Sequence, residues 1–269
     1  MSNNEKEVIL SSETKVTQEY IRPKQSANSL FHFMKKEEWL LNKIRDKALI
    51  PRYTLEDVRF LNLSNIEKMY YPMVCFCDLN LHRIEPHYRE YGPYGIAFSK
   101  EWGIENGIQP VHYLNSKSDY AAEFKHAYDE GMGIDEANVL KDYWLESLRY
   151  TKPMQGSNIC HEDDEHINFM DECEWRFVPH PEEETQGQSL LPAIVWKQHF
   201  SVDKHNTALE IDKKFWLTFD YSDIKYIILP DLESVRRIMD YCKELKIDEE
   251  EREILYTKII DWSYFKEDV

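Results

Sequence analysis

The chain has 269 residues, 42% hydrophobic and 13% aromatic, which is enough to bury a substantial core and excludes a disordered protein. Fifty acidic side chains against 33 basic ones give a formal charge of −17, which excludes broad electrostatic binding to DNA, RNA or an anionic membrane but not a small local basic site. Cysteines at 75, 77, 160, 173 and 242 are odd in number and scattered, so they do not make a disulfide framework and fit a reducing cytoplasm.

Residues 1–28 are polar, with Val16, Tyr20 and Ile21 as the only anchors before Pro23, and read as an arm. This start carries no apolar signal core, and no run approaches the ~18 apolar residues of a membrane span, so a soluble cytoplasmic protein with no membrane partner is expected. Ser29-Leu30-Phe31-His32-Phe33 is the first strand. It leads into a helix whose Leu40, Leu41, Ile44 and Ala48 share a face, and Pro51 is expected to end that helix. Residues 52–70 show no clear period.

From Tyr70 to Trp102 an apolar run, Val74-Cys75-Phe76-Cys77, gives way to a polar stretch with His82 and His87, then to the glycine turn and apolar run of YGPYGIAF. Strand, polar loop, glycine turn, strand is the layout of a loop shaped over a sheet. Gln109–Leu114 reads as another strand. Asp119–Tyr128 and Asp135–Tyr150 read as helices, the second with Leu140, Tyr143, Trp144, Ser147 and Leu148 on its inner stripe.

Residues 155–168 and 179–189 read as loops around the ECEWRFV unit. Residues 192–196, 215–219 and 224–229 are strand candidates, the last stopped by Pro230. The remaining residues read as helical, with Val235, Ile238, Met239 and Cys242 on one stripe and Ile254, Ile259 and Trp262 on another. Together these elements predict an α+β fold, a mostly antiparallel sheet with flanking helices. The expected division is an arm (1–28), a main domain (29–230) and a C-terminal helical extension (231–269).

Among candidate sites, Cys160, His161, Asp163, Asp164, Glu165 and His166 crowd one loop. They lack the paired spacing of a zinc site, and most are hard carboxylates, so no metal is expected. Cys173 lies between two acids, which makes it a poor thiolate, and Cys75 and Cys77 read as core. Glu172-Cys173-Glu174, taken as a strand, puts both carboxylates on one face, with Arg176 available to pair with Glu174. Such a pair is either a surface ion pair or a functional acid. His32, alone on an apolar strand, is ordinarily a hydrogen-bonded core residue.

The blocks SLFHF, PMVCFCDLNL, HYREYGPYGIAFSKEW, QPVHYLN, ECEWRFVP and FDYSDIKYIILP, spread from Ser29 to Pro230, resemble the AbiGi family. Those bacterial proteins are named for abortive infection against phage and described as the antitoxin half of a two-gene system. The resemblance implies phage defence and a partner, the cognate toxin or antitoxin from a neighbouring gene.

A second resemblance is to ADP-ribosyltransferase-like folds, in which a His or Arg, a Tyr or Ser, and a Glu stand on successive strands. His32, the YGPYGIAF segment and Glu174 come in that order. The chain has Ala97 where the polymerase-class YGxGIYFA stretch has its Tyr. The resemblance implies NAD as substrate and a nucleic-acid or protein target. It assigns His32 to a ribose and Glu174 to the nicotinamide ribose and the developing positive charge. An aromatic among Tyr91, Tyr94 and Phe98 would stack on nicotinamide beside Gly95, with Glu172 and Arg176 supporting Glu174. The rival expectation is a non-catalytic antitoxin or sensor that binds its toxin through an acidic, aromatic surface.

Overall fold

Leu30, His32 and Met34 alternate with Phe31 and Phe33, and this period of two, apolar on both sides, makes Ser29–Met34 an interior strand, β1. The computed structural model describes residues 27–63, 66–133, 139–156, 167–180, 184–185, 188–197 and 201–266. In it β1 belongs to a nine-stranded sheet. The other strands are β2 (Arg52–Asp57), β3 (Lys68–Cys77), β4 (Tyr94–Ser99), β5 (Gln109–Pro110), β6 (Glu174–Phe177), β7 (Ile194–Val195), β8 (Ile224–Leu229) and β9 (Ile259–Asp261). The path runs β9-β8-β4-β1-β3-β6-β5, with β2 and β7 also on β3. Every pairing is antiparallel except β8 with β9.

β3 is the hub, and it changes partners along its ten residues. It pairs with β1 only at Phe31↔Cys77 and with β6 from Cys77 to Val74. From Met73 to Lys68 it pairs with β2. Beyond Cys77, therefore, β1 and β3 part, and the sheet splits there.

Both sheet faces are covered. On one, Leu30, Met34, Phe76, Ile96 and Phe98 pack in one core with Leu40 and Ile44 of helix α1 (Glu37–Asp46). Ile238, Cys242 and Leu255, from two C-terminal helices, complete that core. On the other face Phe31, Cys77, Ala97 and Ile228 pack with Ile84 and Trp262. Further along β3, Tyr71 and Met73 join Phe124, Tyr128 and Leu148 of the helices Asp119–Met132 and Val139–Arg149.

The α+β class and the mostly antiparallel sheet hold. Several elements differ from expectation. Residues 52–57 form a strand, their alternation being carried by half-buried side chains. The polar loop after β3 contains a helix, α2 (Glu85–Tyr91). Helix α1 ends before Pro51, on Lys47 in the left-handed conformation at φ 47°. Leu140 and Tyr143 are exposed, so the inner stripe of their helix is narrower than expected. Ile259 is in β9, not on a helix, because parallel pairing with Ile227 captures it into the sheet. That strand ties the C-terminal segment to the same sheet as β1. Most of the arm (residues 1–26) and the Cys160–His166 loop lie outside the described residues. No described helix is long and apolar enough to cross a membrane.

Gly92 closes α2 at φ +118°, and a Cβ there would lie 2.3 Å from the Met34 carbonyl oxygen. Gly107, at φ +71°, has nothing within 4 Å of that position. Gly92→Ala is therefore expected to destabilise the protein by more than ~3 kcal/mol, and Gly107→Ala by only ~1–2 kcal/mol, as urea denaturation would measure.

Candidate functional site

Strand alternation puts Glu174 and Arg176 on one face of β6, with Trp175 and Phe177 turned to the other, against the α1 core. Cys77 lies opposite Glu174 and Phe31 lies opposite Cys77, so Glu174 shares the face of Phe31. Glu172 is not part of the strand. It ends a short 3₁₀ turn, Phe169–Glu172, and Cys173 at φ 44° swings the chain into β6. The two carboxylates nevertheless meet, because Lys152 lies between them, its Nζ 2.5 Å from Glu172 Oε2 and 2.8 Å from Glu174 Oε2. Lys152 is positioned by the parallel pairing of Thr151–Pro153 with His112–Leu114, and the Tyr113 hydroxyl of that segment accepts the Glu174 N–H at 2.8 Å.

Arg176 is fully buried and uses its whole fork. Nε donates to Glu174 Oε1 at 2.7 Å, and one terminal nitrogen reaches Glu174 Oε2 at 3.2 Å and Glu56 Oε2 at 3.0 Å. The other donates to the Arg149 carbonyl at 2.7 Å. Burial opposes ionisation of Glu174, but Arg176 and Lys152 overcome it and hold the carboxyl well below the usual range. The same ion pairs, working against burial, keep Lys152 and Arg176 protonated well above their ordinary values. Three carboxylates, those of Glu56, Glu172 and Glu174, thus face two cations. The Tyr91 hydroxyl donates to Glu172 Oε1 at 2.8 Å.

The cluster forms the floor of a cavity of about 480 Å³ at the sheet split, walled by rings that include Phe31, Phe33, Phe60 and Phe169. Of the residues singled out in the sequence, His32, Tyr91, Glu172 and Glu174 line it, while Arg176 sits behind Glu174. Tyr94, Gly95 and Phe98 do not line it. Phe98 is fully buried in the α1 core, its ring stacked 4.2 Å from Trp102. Tyr94 packs against the same core, and a Cβ on Gly95 would touch the Phe33 ring. For Tyr94 and Phe98 the reason is register, since the even-numbered residues of β4 face away from Phe31, which pairs with Ala97, whereas Gly95 is covered by the Phe33 ring. Above Ala97 the space is filled by Phe31, with Phe33 and Tyr226 stacked on either side at 6.0 and 6.1 Å.

His32 also leaves the face opposite Glu174, since its strand neighbour Phe31 is on the Glu174 face. It reaches the cavity at the split, where its Nδ1 donates to the Cys75 carbonyl at 2.8 Å in place of the missing β1–β3 ladder. Burial, assisted by Lys43, lowers its pKa to about 3, so the ring is neutral. Sequence reasoning missed Glu56, His87, Tyr113 and Lys152. Among the described residues no group of three or more His, Cys, Asp or Glu is placed to hold a metal ion.

An antiparallel sheet split over a buried acid–base cluster, with a cavity set into the split, defines an α+β protein with a polar-floored chamber. No solved structure matches the chain. The family model of AbiGi, described as an abortive phage resistance protein and antitoxin, matches residues 47–230. The abortive phage resistance protein AbiGi of Lactococcus lactis subsp. cremoris is 32% identical over 252 residues, covering 82% of this chain and 99% of that protein. The chain belongs to the AbiGi family of abortive phage resistance proteins.

Arg176→Met would leave the buried Glu174 and the half-buried Glu56 without their shared cation and is expected to cost ~3–5 kcal/mol at pH 7 in urea denaturation. The pH dependence has a definite sign. Glu174 titrates below its ordinary 4.5 in the folded protein, so its contribution is complete above that pH and is lost as pH falls through the folded value. The variant should show a flatter fall in stability over the acid range than the wild type.

Proposed function

We propose that the protein acts in phage defence by binding NAD in the split-sheet cavity and transferring its ADP-ribose to a protein or nucleic-acid acceptor. The observation that carries this reading is Glu174, a carboxylate kept ionised at the floor of a ring-walled chamber of about 480 Å³, a volume within the range of small-molecule sites. In the reaction, the bond from the ribose anomeric carbon to the nicotinamide nitrogen breaks and its electron pair leaves with neutral nicotinamide. The acceptor's nucleophile then bonds that carbon and gives up its proton. Glu174 holds the ribose hydroxyl and faces the positive charge that develops at the anomeric carbon. Lys152 and Arg176 keep Glu174 anionic and fixed, so the charge needs no reorganisation during the step. The stacking ring for nicotinamide comes from the cavity wall, from Tyr91 or Phe33, with Phe98 occupied in the core.

NAD consumption by the purified protein, followed as nicotinamide release, tests this reading. Glu174→Gln is expected to lower turnover by ~10²–10³-fold, assayed below its melting temperature. The absence of both NAD binding by calorimetry and nicotinamide release from the wild type would sink the proposal.

A second reading, a non-catalytic antitoxin that neutralises a partner toxin by direct contact, is favoured by the family's description as an antitoxin and by the charge of −17, which suits a basic partner. Co-expression with the neighbouring gene's product separates the two. On the catalytic reading Glu174→Gln loses protection while remaining folded, and on the contact reading it protects as well as the wild type.

A further inference from the structure

His32 lines the chamber from the sheet face opposite Glu174 and spends its Nδ1 on the Cys75 carbonyl, and the chamber holds a second imidazole. It is His87, on α2. Its residue is 8% exposed, it lines the cavity, and it lies within the electrostatic reach of Lys152, Glu174 and Glu90. Its ring sits 5.4 Å from that of Tyr91, four residues on, so one face of α2 presents imidazole and phenol together. The two differ in one respect. The Tyr91 hydroxyl is committed to Glu172, whereas His87 makes no hydrogen bond to any described residue. Its nitrogens are not among the buried polar atoms left without a partner, so they open onto the cavity, where water or a ligand makes their hydrogen bonds.

We propose that His87 is a ligand-contacting residue of this cavity, giving a hydrogen bond from a neutral imidazole to an uncharged polar group, an amide or a hydroxyl. This rests on the NAD reading above and names the part of the ligand that the α2 wall recognises, the nicotinamide carboxamide. The charge class follows from the neighbours. Burial and the Lys152 cation bring the imidazole to about 4, so it is neutral near pH 7 and offers one donor and one acceptor. An amide, with a donor and an acceptor of its own, matches such a ring. A carboxylate would bring a further negative charge beside Glu172, Glu174 and Glu90, on a floor that already holds more carboxylates than cations.

Calorimetry with NAD and with its deamidated analogue, nicotinic acid adenine dinucleotide, tests the assignment on the full chain. Wild type is expected to bind NAD at least tenfold more tightly than the analogue. His87→Ala should lose about tenfold in NAD affinity and most of that discrimination, whereas His87→Gln, which keeps an uncharged donor and acceptor, should retain both. In the wild type the His87 ring resonances should also shift on addition of NAD. NAD binding by the wild type that is unchanged in both variants, with unmoved His87 resonances, overturns the role of His87 and leaves the NAD reading standing. Absence of NAD binding by the wild type overturns both. Equal binding of the two dinucleotides overturns the carboxamide assignment alone.

Discussion

The guanidinium of Arg176 is the constraint on which the site depends. A fully buried cation is tolerated only when its donors are satisfied, and this one uses Glu174, Glu56 and the Arg149 carbonyl, which come from three separate parts of the chain. Satisfying it fixes β6 against β2 and against the end of the helix Val139–Arg149. It also fixes the ionisation of Glu174, which in turn orients Lys152 and through it Glu172 and Tyr91. Geometry and electrostatics are thus set by one interaction, and neither can be relaxed without the other. Such networks specify an arrangement more than they stabilise it, because the Coulombic gain is offset by the desolvation of every member.

The split beside this network has a similarly local origin. β3 pairs with β1 at Cys77 and with β2 from Met73 onward, and the residues between are left without a β1 partner. One orphaned carbonyl, that of Cys75, is taken by His32. The imidazole that reads from sequence as a catalytic candidate therefore has a structural duty, bridging two strands at the point where they diverge. Its tautomer is set by that duty, with the proton on Nδ1. A cavity formed this way needs no lid or hinge. It is a gap in a ladder, floored by charge and walled by rings.

How much of this was legible in the sequence depended on whether the pattern was local. β1, β4 and β8 announce themselves by short apolar runs between breakers, and Glu174 with Arg176 follows from spacing of two on a strand. The alternation of β2 is hidden, because Thr54, Leu55, Glu56 and Asp57 are all half-buried and the strand shows no clean inside and outside. Lys152 carries no local signal at all. It reaches Glu174 through a parallel pairing of two three-residue segments that lie far apart in the chain. Phe98 was misassigned for a reason that the period of two supplies: the register Phe31↔Ala97 sends it to the opposite core. His87 had a weak signal, its spacing of four from Tyr91, which carries meaning only once residues 85–91 are known to be helical.

The same parity argument orders the chemistry. On the face that carries Glu174, the sheet offers Phe31 and Ala97 across β1 and β4, both apolar, so any polar recognition beyond the floor has to come from elements laid over the sheet. α2 is such an element, and it meets the cavity with His87, Glu90 and Tyr91. Its lower end is pinned by Trp262, whose indole N–H donates to Glu85 at 2.8 Å, and its upper end by Gly92 against the Met34 carbonyl. Trp262 follows β9 directly in the chain. The C-terminal segment therefore holds the polar wall of the cavity in place, although it contributes no residue to its lining. A change far from the charged floor, at Ile259 or Trp262, acts on the cavity through the seating of α2 and not through Glu174.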